Sequence, residues 1–390
     1  MSDRPIRIVH IITRMILGGA QENTLLTCRG LHERPDYDVT LITGPALGPE
    51  GKLLGEAERL GIHVRLVPQL RRAIHPWRDP SSARALRRLL REMKPDVVHT
   101  HSSKAGILGR YAAHAEGVPA VVHTIHGLPF HPYERWWRNQ LYVRLERMAA
   151  RWSHRIVSVA DAMTEQALAA GVAPREKFLT VYSGMDTGSF LASGALREAT
   201  RERLGLRPDE FVVGKVARLF ELKGHDYVIQ AAAQVLATHP NVRFLFVGDG
   251  ILRRSLERQA ERLGVADRIV FAGLVPASQV PAHLAAMDAL VHASLREGLA
   301  RVLPQALLAG KPVVSFNVDG AREVVVDGQT GWLVEAKSVE GLAHSLCEAI
   351  EQPERAAAMA ERGRALCRER FRWETMVERL DAVYRELRGS

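Results

Sequence analysis

A carboxylate next to a glycine, between a predicted strand and a predicted helix, is the most informative feature of this 390-residue sequence. Glu297 and Gly298 follow an apolar run at 288–292 that predicts a strand, and we expect a helix to open near Leu299. Glycine lets a ligand approach the backbone, and the first N–H groups of a helix lack intrahelical partners at its positive end. The amides of Leu299 and Ala300 are therefore candidate phosphate ligands.

Two cations upstream complement this carboxylate. Arg218 and Lys223 follow a second apolar run, 211–217, and precede another predicted helix. Cations on such a loop can hold a diphosphate and stabilise the charge that it gains as a leaving group. At a rise of about 1.5 Å per residue, Gln305 lies roughly 9 Å along the helix from Leu299. That reach fits a ligand with hydroxyl groups at both ends and a diphosphate between them, as in a nucleotide-sugar.

Short apolar runs alternate with helical stretches along the whole chain, which is typical of doubly wound parallel sheets. The predicted strands are 6–12, 38–42, 63–66, 97–99, 120–124, 155–159 and 178–181 in the first half, and 211–217, 243–247, 269–272, 288–292, 312–316 and 331–334 in the second. A Gly- and Ser-containing link at 183–193 separates the halves. We predict a domain at 1–185, a domain at 186–370 and a C-terminal helix within 371–390.

Two further glycines follow the first predicted strand. Gly18 and Gly19 begin a helix, where they form a plain tight turn or let the backbone approach a diphosphate or a transferred sugar. Gln21 is a candidate contact to the acceptor or the sugar. A later helix is preceded by Ser102, Ser103 and Lys104, and we expect a serine hydroxyl to cap it. An acceptor phosphate bound at the same helix end is the functional addition.

Positive charge is concentrated in the first half. Residues 1–190 carry a net charge of +8 and the remainder +1. Within 65–94 two acidic side chains, Asp79 and Glu92, accompany nine basic ones, namely Arg65, Arg71, Arg72, Arg78, Arg84, Arg87, Arg88, Arg91 and Lys94. This segment is either a solvated helix face or a surface for an anionic membrane or a phosphate-bearing acceptor. Trp136 and Trp137 also suit a membrane interface. No nucleic-acid-binding module accompanies the charge, so we expect no nucleic-acid partner.

Composition narrows the class of protein. An apolar content of 46% and a charged content of 25% are those of a soluble globular chain, and the length predicts two domains. The start, MSDRPIRIVHIITR, does not have the pattern of a signal peptide, and no stretch approaches the roughly 20 apolar residues of a membrane-spanning helix. The three cysteines are few and scattered. We therefore expect a cytoplasmic protein, peripheral on the inner face of the cell membrane if the basic segment binds there.

Six segments together resemble one enzyme family: GGAQ (18–21), HTHSSKAGILGR (99–110), HTIHG (123–127), VARLFELKG (216–224), VGDG (247–250) and EGLARVLPQALLAGKPVV (297–314). Over essentially its whole length the chain resembles a retaining glycosyltransferase of family 4, the group 1 glycosyltransferases of the GT-B fold. The resemblance implies two facing Rossmann-like doubly wound domains with an interdomain cleft, the acceptor held by the N-terminal domain and the donor by the C-terminal one.

The resemblance also implies a reaction. A hexose-type sugar passes from a nucleotide diphosphate donor, a UDP- or GDP-sugar, with retention of configuration and without an essential metal; no cofactor is expected. We expect a glycan or lipid-linked acceptor in cell-surface polysaccharide or glycolipid assembly. Glu297 would accept hydrogen bonds from the hydroxyl groups of the donor sugar, while Arg218 and Lys223 would hold its diphosphate.

The resemblance places His126 in the active site, just after the strand at 120–124, where it would bond a sugar hydroxyl or the leaving phosphate. A metal site made with the nearby His99, His101 and His123 is disfavoured, because no cysteine or carboxylate cluster joins them. The alternate positions of His99 and His101 around a strand end also disfavour a metal site.

The nucleotide pocket has its own candidates. Gly248 and Gly250 match the first two glycines of a dinucleotide fingerprint, but the third position is arginine, so the fingerprint fails. We expect these glycines, with Leu274 and Val275, to shape the pocket near the base. Gln305 departs from the family pattern, which usually has a glutamate that bonds the ribose hydroxyls. This departure keeps a nucleotide-sugar-binding scaffold of weak activity open as an alternative, and a sugar-nucleotide epimerase shares the fold.

Overall fold

The computed structural model describes residues 4–47 and 53–389. The chain divides into two compact units, each described here by itself. Unit 1 comprises Met1–Met185 with Phe371–Ser390, and unit 2 comprises Asp186–Arg370. Each unit is built on one parallel sheet.

Unit 1 contains a seven-stranded sheet in the order β3-β2-β1-β4-β5-β6-β7. Its strands are β1 (Ile6–Arg14), β2 (Tyr37–Gly44), β3 (His63–Leu66), β4 (Val97–His101), β5 (Ala120–Ile125), β6 (Arg155–Ser158) and β7 (Phe178–Thr180). Its first helices are α1 (Gly19–His32), α2 (Leu54–Arg59), α3 (Arg78–Met93), α4 (Ser103–Ala115), α5 (Trp136–Ala150) and α6 (Asp161–Ala169). Strand order reverses between β1 and β4, and open α/β sheets bind ligands at the carboxyl edge of such a switch point.

Strand β1 is apolar on both faces because helices cover both sides of the sheet. Ile8 and Ile12 belong to one core cluster, together with residues of α1. Val9 and Ile11 belong to a second cluster, together with residues of α3 and α4. This two-sided burial explains why Ile8, Val9, Ile11 and Ile12 are all apolar although they lie on opposite faces of the strand.

Unit 2 contains a six-stranded sheet in the order β10-β9-β8-β11-β12-β13, with its switch point between β8 and β11. Its strands are β8 (Phe211–Val216), β9 (Val242–Val247), β10 (Ile269–Gly273), β11 (Ala289–His292), β12 (Val313–Phe316) and β13 (Trp332–Val334). Its helices are α7 (Thr187–Leu191), α8 (Arg197–Leu204), α9 (His225–Thr238), α10 (Arg253–Arg262), α11 (Val280–Ala286), α12 (Val302–Leu308), α13 (Val339–Glu351) and α14 (Pro353–Arg370).

The last helix, α15 (Trp373–Gly389), belongs to unit 1. Met376, Leu380 and Tyr384 are buried in the same core cluster as Ile8 and Ile12. The Met185 amide donates to the Phe371 carbonyl oxygen at 2.8 Å, which ties the end of the first segment of unit 1 to the start of the second.

Every strand pairing in the two sheets is parallel, as the alternating pattern predicts. Among the described residues, no helix combines the length and the apolar character needed to cross a bilayer. The three cysteines are free thiols, and two of them, Cys28 and Cys367, are buried.

Candidate active site

Two loops meet at the switch point of unit 2. One connects β8 to α9, and the other follows β11. The Leu295 amide donates to the Leu222 carbonyl oxygen at 2.8 Å, which joins them. Gly224 ends the first loop with φ 65°, and a Cβ there would lie 1.9 Å from the Ala293 carbonyl oxygen. Only glycine fits that conformation and that space, so Gly224 permits the close approach of the loops.

This approach brings Lys223 and Glu297 into contact. The Lys223 Nζ donates to the Glu297 Oε1 at 2.5 Å, and each side chain remains 22% exposed. Burial favours the neutral acid, but the positive charge of Lys223, supported by His292, outweighs it and lowers the pKa of Glu297. Glu297 is therefore ionised at neutral pH, and it lies with Lys223 at the carboxyl edge of the sheet, where the sequence predicts ligand binding.

Asp319 supports this carboxylate from a third loop, after β12. Its Oδ2 accepts a hydrogen bond from the Glu297 backbone amide at 2.6 Å, and the Gly320 amide donates to the Gly298 carbonyl oxygen at 3.2 Å. Asp319 has φ 48°, an uncommon backbone conformation for a residue other than glycine. Sequence reasoning missed Asp319. The available signal was an Asp-Gly pair shortly after β12, a strand that neighbours β11.

The helix after Glu297 begins later than the sequence predicts. Helix α12 starts at Val302, not near Leu299, and has seven residues. Leu299 and Ala300 are buried before the helix begins, so packing holds them outside its first turn. Pro304 lies in the first turn of α12 and has no N–H group, so that turn has one donor fewer than an ordinary helix start. The half-buried Gln305 lies about 4.5 Å along the axis from Val302, so the predicted reach of roughly 9 Å within one helix is wrong.

Gly248 and Gly250 serve backbone packing. A Cβ at Gly248 would lie 2.1 Å from the Ala217 carbonyl oxygen, and one at Gly250 would lie 2.4 Å from the Leu219 carbonyl oxygen. The loop after β9 therefore packs directly on the loop that carries Arg218, which explains these glycines without a ligand.

The remaining nucleotide candidates lie on the same side of unit 2's switch point. The guanidinium of Arg218 lies 5.1 Å from the centre of the Phe220 ring. Leu274, which is 58% exposed, and the half-buried Val275 follow β10, two strands from β8. All of these residues follow the carboxyl ends of parallel strands.

In unit 1, Gly18 precedes the first residue of α1, as the sequence predicts, and Gly19 is that residue. A Cβ on Gly18 would lie 2.7 Å from the Gln21 Oε1, so this glycine makes room for the Gln21 carboxamide. The Glu22 amide donates to the Gly18 carbonyl oxygen at 2.9 Å, which closes the first turn.

The predicted serine cap of the helix after β4 is wrong. Ser102 has φ 62° and makes no side-chain cap hydrogen bond. Its hydroxyl lies 2.8 Å from the Thr13 Oγ1, and that same oxygen accepts from the Ala105 amide at 3.2 Å. Thr13, at the end of β1, therefore caps α4 across the switch point, and Ser103 is the first residue of that helix.

Lys104 has a partner within unit 1. Its Nζ donates to both carboxylate oxygens of Asp79, at 2.7 and 2.8 Å, and to the Ala73 carbonyl oxygen. The side chain is 11% exposed. These contacts tie α4 to α3, so binding of an acceptor phosphate by Lys104 would require the pair to open.

His126 directly follows β5 and ends a row of imidazoles. The His101 Nδ1 and the His126 Nε2 lie 3.2 Å apart, and the His10 Nδ1 and the His101 Nε2 lie 3.0 Å apart. Burial lowers the pKa of His10 to about 3 and lowers that of His101 well below its ordinary value, with help from neighbouring imidazoles. These two rings are therefore neutral at physiological pH.

The ligand atoms of His10, His99 and His101 lie within 4.8 Å of one another. The alternate spacing of His99 and His101, used above against a metal, in fact puts both on one face of β4. Both nitrogens of His99 already contact hydroxyls, of Tyr384 at 2.5 Å and of Thr124 at 2.7 Å. Both nitrogens of His101 contact imidazoles. Hydrogen bonding accounts for both nitrogens of His99 and of His101 and for one nitrogen of His10, and we assign the group no metal. Sequence reasoning missed His10, although pairing β1 with β4 would have found it.

The family model for Glycosyltransferase Family 4 matches residues 17–189, and that for Glycosyl transferases group 1 matches residues 197–366. The chain is 30% identical over 344 residues to an Escherichia coli UDP-Gal:alpha-D-GlcNAc-diphosphoundecaprenol alpha-1,3-galactosyltransferase, covering 87% of each chain.

A second relative uses a different nucleotide. The chain is 30% identical over 310 residues to a GDP-mannose-dependent alpha-(1-6)-phosphatidylinositol monomannoside mannosyltransferase of Mycolicibacterium smegmatis, covering 77% of this chain and 79% of the relative. The crystal structure of Anabaena HepE in complex with UDP and glucose matches with a TM-score of 0.83 at 24% identity, over 97% of this chain and 99% of the other. This likeness confirms the predicted GT-B class of fold.

Proposed function

Because this chain belongs to the group 1 and family 4 glycosyltransferases, we propose that it moves a hexose-type sugar from a UDP- or GDP-sugar to a glycan or lipid-linked acceptor. The transfer retains anomeric configuration, requires no metal, and serves cell-surface polysaccharide or glycolipid assembly. Unit 2 holds the donor and unit 1 holds the acceptor. One relative is named for UDP-Gal and another for GDP-mannose, which supports a nucleotide-sugar donor and leaves the base to experiment.

The ion pair of Lys223 and Glu297 carries this proposal. A nucleotide-sugar has an anionic diphosphate directly beside a ring of hydroxyl groups, so it needs a cation and a carboxylate side by side. Lys223 and Glu297 meet that need at 2.5 Å, at the switch point where open α/β sheets bind ligands. When the donor binds, Lys223 pairs with the diphosphate instead of Glu297, and Glu297 accepts hydrogen bonds from sugar hydroxyls.

The remaining donor contacts follow the same edge. Arg218 shares the diphosphate with Lys223, and the Leu299 and Ala300 amides offer further donors beside Gly298. In the reaction, the bond between the anomeric carbon and the phosphate oxygen breaks while the acceptor oxygen bonds to that carbon from the same face. The proton of the acceptor hydroxyl passes to the leaving phosphate oxygen. Lys223 and Arg218 stabilise the charge on the departing diphosphate.

A donor screen followed by product analysis tests the reaction. We expect one or more UDP-, GDP- or ADP-sugars to raise the melting temperature, and that donor to be consumed only with a lipid-linked or glycan acceptor. NMR of the product should show the donor's anomeric configuration, with the rate unchanged by a chelator. Binding without transfer would indicate the scaffold that Gln305 keeps open, and interconversion of the donor sugar without an acceptor would indicate an epimerase.

We also propose that unit 1 contacts an anionic membrane surface, because exposed apolar side chains accompany its basic segment. Trp77, at the start of α3, is 81% exposed, Ile74 is 73% exposed and Trp136 is 78% exposed. Arg87 and Arg91 form ion pairs with Glu116, which neutralises part of their positive charge. Co-sedimentation with vesicles should require anionic lipid and weaken with salt. Equal binding to neutral vesicles, or none to either kind, would contradict this surface.

A further inference from the structure

A row of three imidazoles crosses the carboxyl edge of unit 1, from β1 through β4 to the end of β5. The His10 Nδ1 lies 3.0 Å from the His101 Nε2, and the His101 Nδ1 lies 3.2 Å from the His126 Nε2. His10 and His101 are fully buried. Two nitrogens in each contact can share only one proton, so the row forms a hydrogen-bonded chain with a single direction.

His99 lies beside this chain but is not a link in it. Its ring centre is 4.3 Å from that of His101 and 5.1 Å from that of His10. Its Nδ1 lies 2.5 Å from the Tyr384 hydroxyl, and its Nε2 lies 2.7 Å from the Thr124 hydroxyl. His99 therefore has two partners outside the chain, and it packs His101 into a fixed ring orientation.

The direction in which the protons are donated along this hydrogen-bonded row follows from its buried end, at His10. In one arrangement the His10 Nδ1–H donates to His101, and the His101 Nδ1–H donates to the His126 Nε2. In the reverse arrangement every donor and acceptor exchanges roles. Among the described residues, the His10 Nε2 has no hydrogen-bond partner. The first arrangement leaves a bare lone pair there, whereas the reverse leaves a buried N–H group unpaired, which proteins tolerate less readily.

We infer that His10 and His101 are positioning residues that hold His126 as the neutral tautomer with its proton on Nδ1. The tautomer of a histidine is set by the hydrogen bond that its other nitrogen makes, and here the Nε2 of His126 accepts from His101. His126 then carries its proton at Nδ1 and is not a base at that atom. Its use toward a sugar hydroxyl or a leaving phosphate rests on the proposed function, but the tautomer itself does not.

Nitrogen-15 NMR of the full chain labelled at histidine tests the tautomer without any substrate. The His126 signals are assigned by their loss in His126→Gln. We expect the shift of a protonated nitrogen at Nδ1 and of an unprotonated nitrogen at Nε2. A proton on Nε2 of His126 in the wild-type protein would overturn the inference.

Two substitutions of similar size at one position separate positioning from packing. In His101→Asn the side-chain amide replaces the Nδ1–H donor toward His126, and in His101→Leu no donor remains. We expect His101→Leu to lose the single tautomer at His126 and to lower kcat by about 10- to 100-fold with little change in KM, the range found when the hydrogen-bond partner of a metal-ligating histidine is removed. His101→Asn should keep the tautomer and most of the activity.

Equal tautomers at His126 in His101→Leu and His101→Asn would contradict the role of His101. If neither folds, as judged by circular dichroism, His10→Phe removes the first donor but keeps an aromatic ring, and it should give a mixture of tautomers at His126. A single unchanged tautomer there would contradict the role of His10. A wild-type protein with Nδ1–H on His126 but no transfer from any donor would support the inference and contradict only the proposed function.

Discussion

The two units share a topology and differ in where they place charge. In unit 2 an ion pair, Lys223–Glu297, lies at the switch point with both side chains 22% exposed. In unit 1 the buried imidazoles of His10 and His101 are neutral. The pair Lys104–Asp79 ties α4 to α3, and the buried pair Arg110–Glu146 joins α4 to α5 at 2.8 Å with side chains 0% and 6% exposed. Both sheets put loops at an equivalent edge, but burial decides whether a charged pair is free to meet a ligand or is confined to holding helices together.

The largest effect should come from breaking the buried pair of unit 1. Arg110→Met leaves the Glu146 carboxylate buried without its partner, so we expect a loss of about 3–5 kcal/mol in the free energy of unfolding. Thermal or denaturant unfolding measures it, and activity per folded molecule should stay near wild type. Arg138→Met is the control, because its pair with Glu134 is exposed and should contribute about 1 kcal/mol or less. Equal destabilisation by both substitutions would show that burial does not make the Arg110–Glu146 pair more important for stability than the Arg138–Glu134 pair.

Breaking the Lys223–Glu297 pair of unit 2 should lower activity and leave stability almost unchanged, which is the reverse of the result expected for Arg110→Met. Lys223→Met removes a cation from the diphosphate site, and we expect kcat to fall by about 10²–10³-fold, with only a small shift in melting temperature. Steady-state kinetics with the donor found in the screen measures it. Arg254→Met removes a cation from an exposed position on α10 and should leave the rate unchanged. Near-normal turnover by Lys223→Met would show that this edge of unit 2 is not the donor site.

A buried lysine, Lys215, tests how burial of a charged group affects the stability of unit 2. Among the described residues the Lys215 Nζ has no hydrogen-bond partner, and burial, followed by the charge of Lys223, lowers its pKa to about 7. An unfolded lysine has a pKa of about 10.4, so between these values the unfolded state binds more protons.

The free energy of unfolding of the wild-type protein should therefore increase with pH in this range. For Lys215 alone the increase is at most about 1.4 kcal/mol per pH unit. We expect Lys215→Met to be more stable than wild type near neutral pH and its advantage to shrink as the pH rises toward the unfolded value. Melting temperatures of both proteins across that range measure the difference, and the comparison cancels groups common to both. A constant difference would show that Lys215 does not titrate in this window.

The smallest expected effect concerns Gln305. A carboxylate accepts stronger hydrogen bonds from ribose hydroxyls than an amide does, so Gln305→Glu should tighten nucleotide binding by about 1 kcal/mol, roughly fivefold in Kd. Calorimetry with the nucleotide of the preferred donor measures it. Gln329→Glu adds the same charge at an exposed position and should leave Kd unchanged. Weaker binding in Gln305→Glu would place the ribose away from this side chain.

Most of the fold could be predicted because strands and helices leave local signals. Apolar runs marked the strands of both sheets, and the Gly-Gly pair at Gly18 marked the start of α1. The start of α12 could not be predicted, because it depends on the burial of Leu299 and Ala300 against neighbours distant in sequence. Thr13 as the cap of α4 has the same origin, since its hydroxyl reaches that helix only through the pairing of β1 with β4.

The sequence by itself determined two parallel-sheet units, the edge of each that carries polar residues, and the residue types available there. These follow from apolar periodicity, glycine placement and strand order, which are local properties of the chain. Only the tertiary structure decided that Lys223 meets Glu297, that Lys104 is held by Asp79, and that His10 joins His101 and His126. Each of these contacts joins side chains from different strands, loops or helices, and packing alone sets such distances.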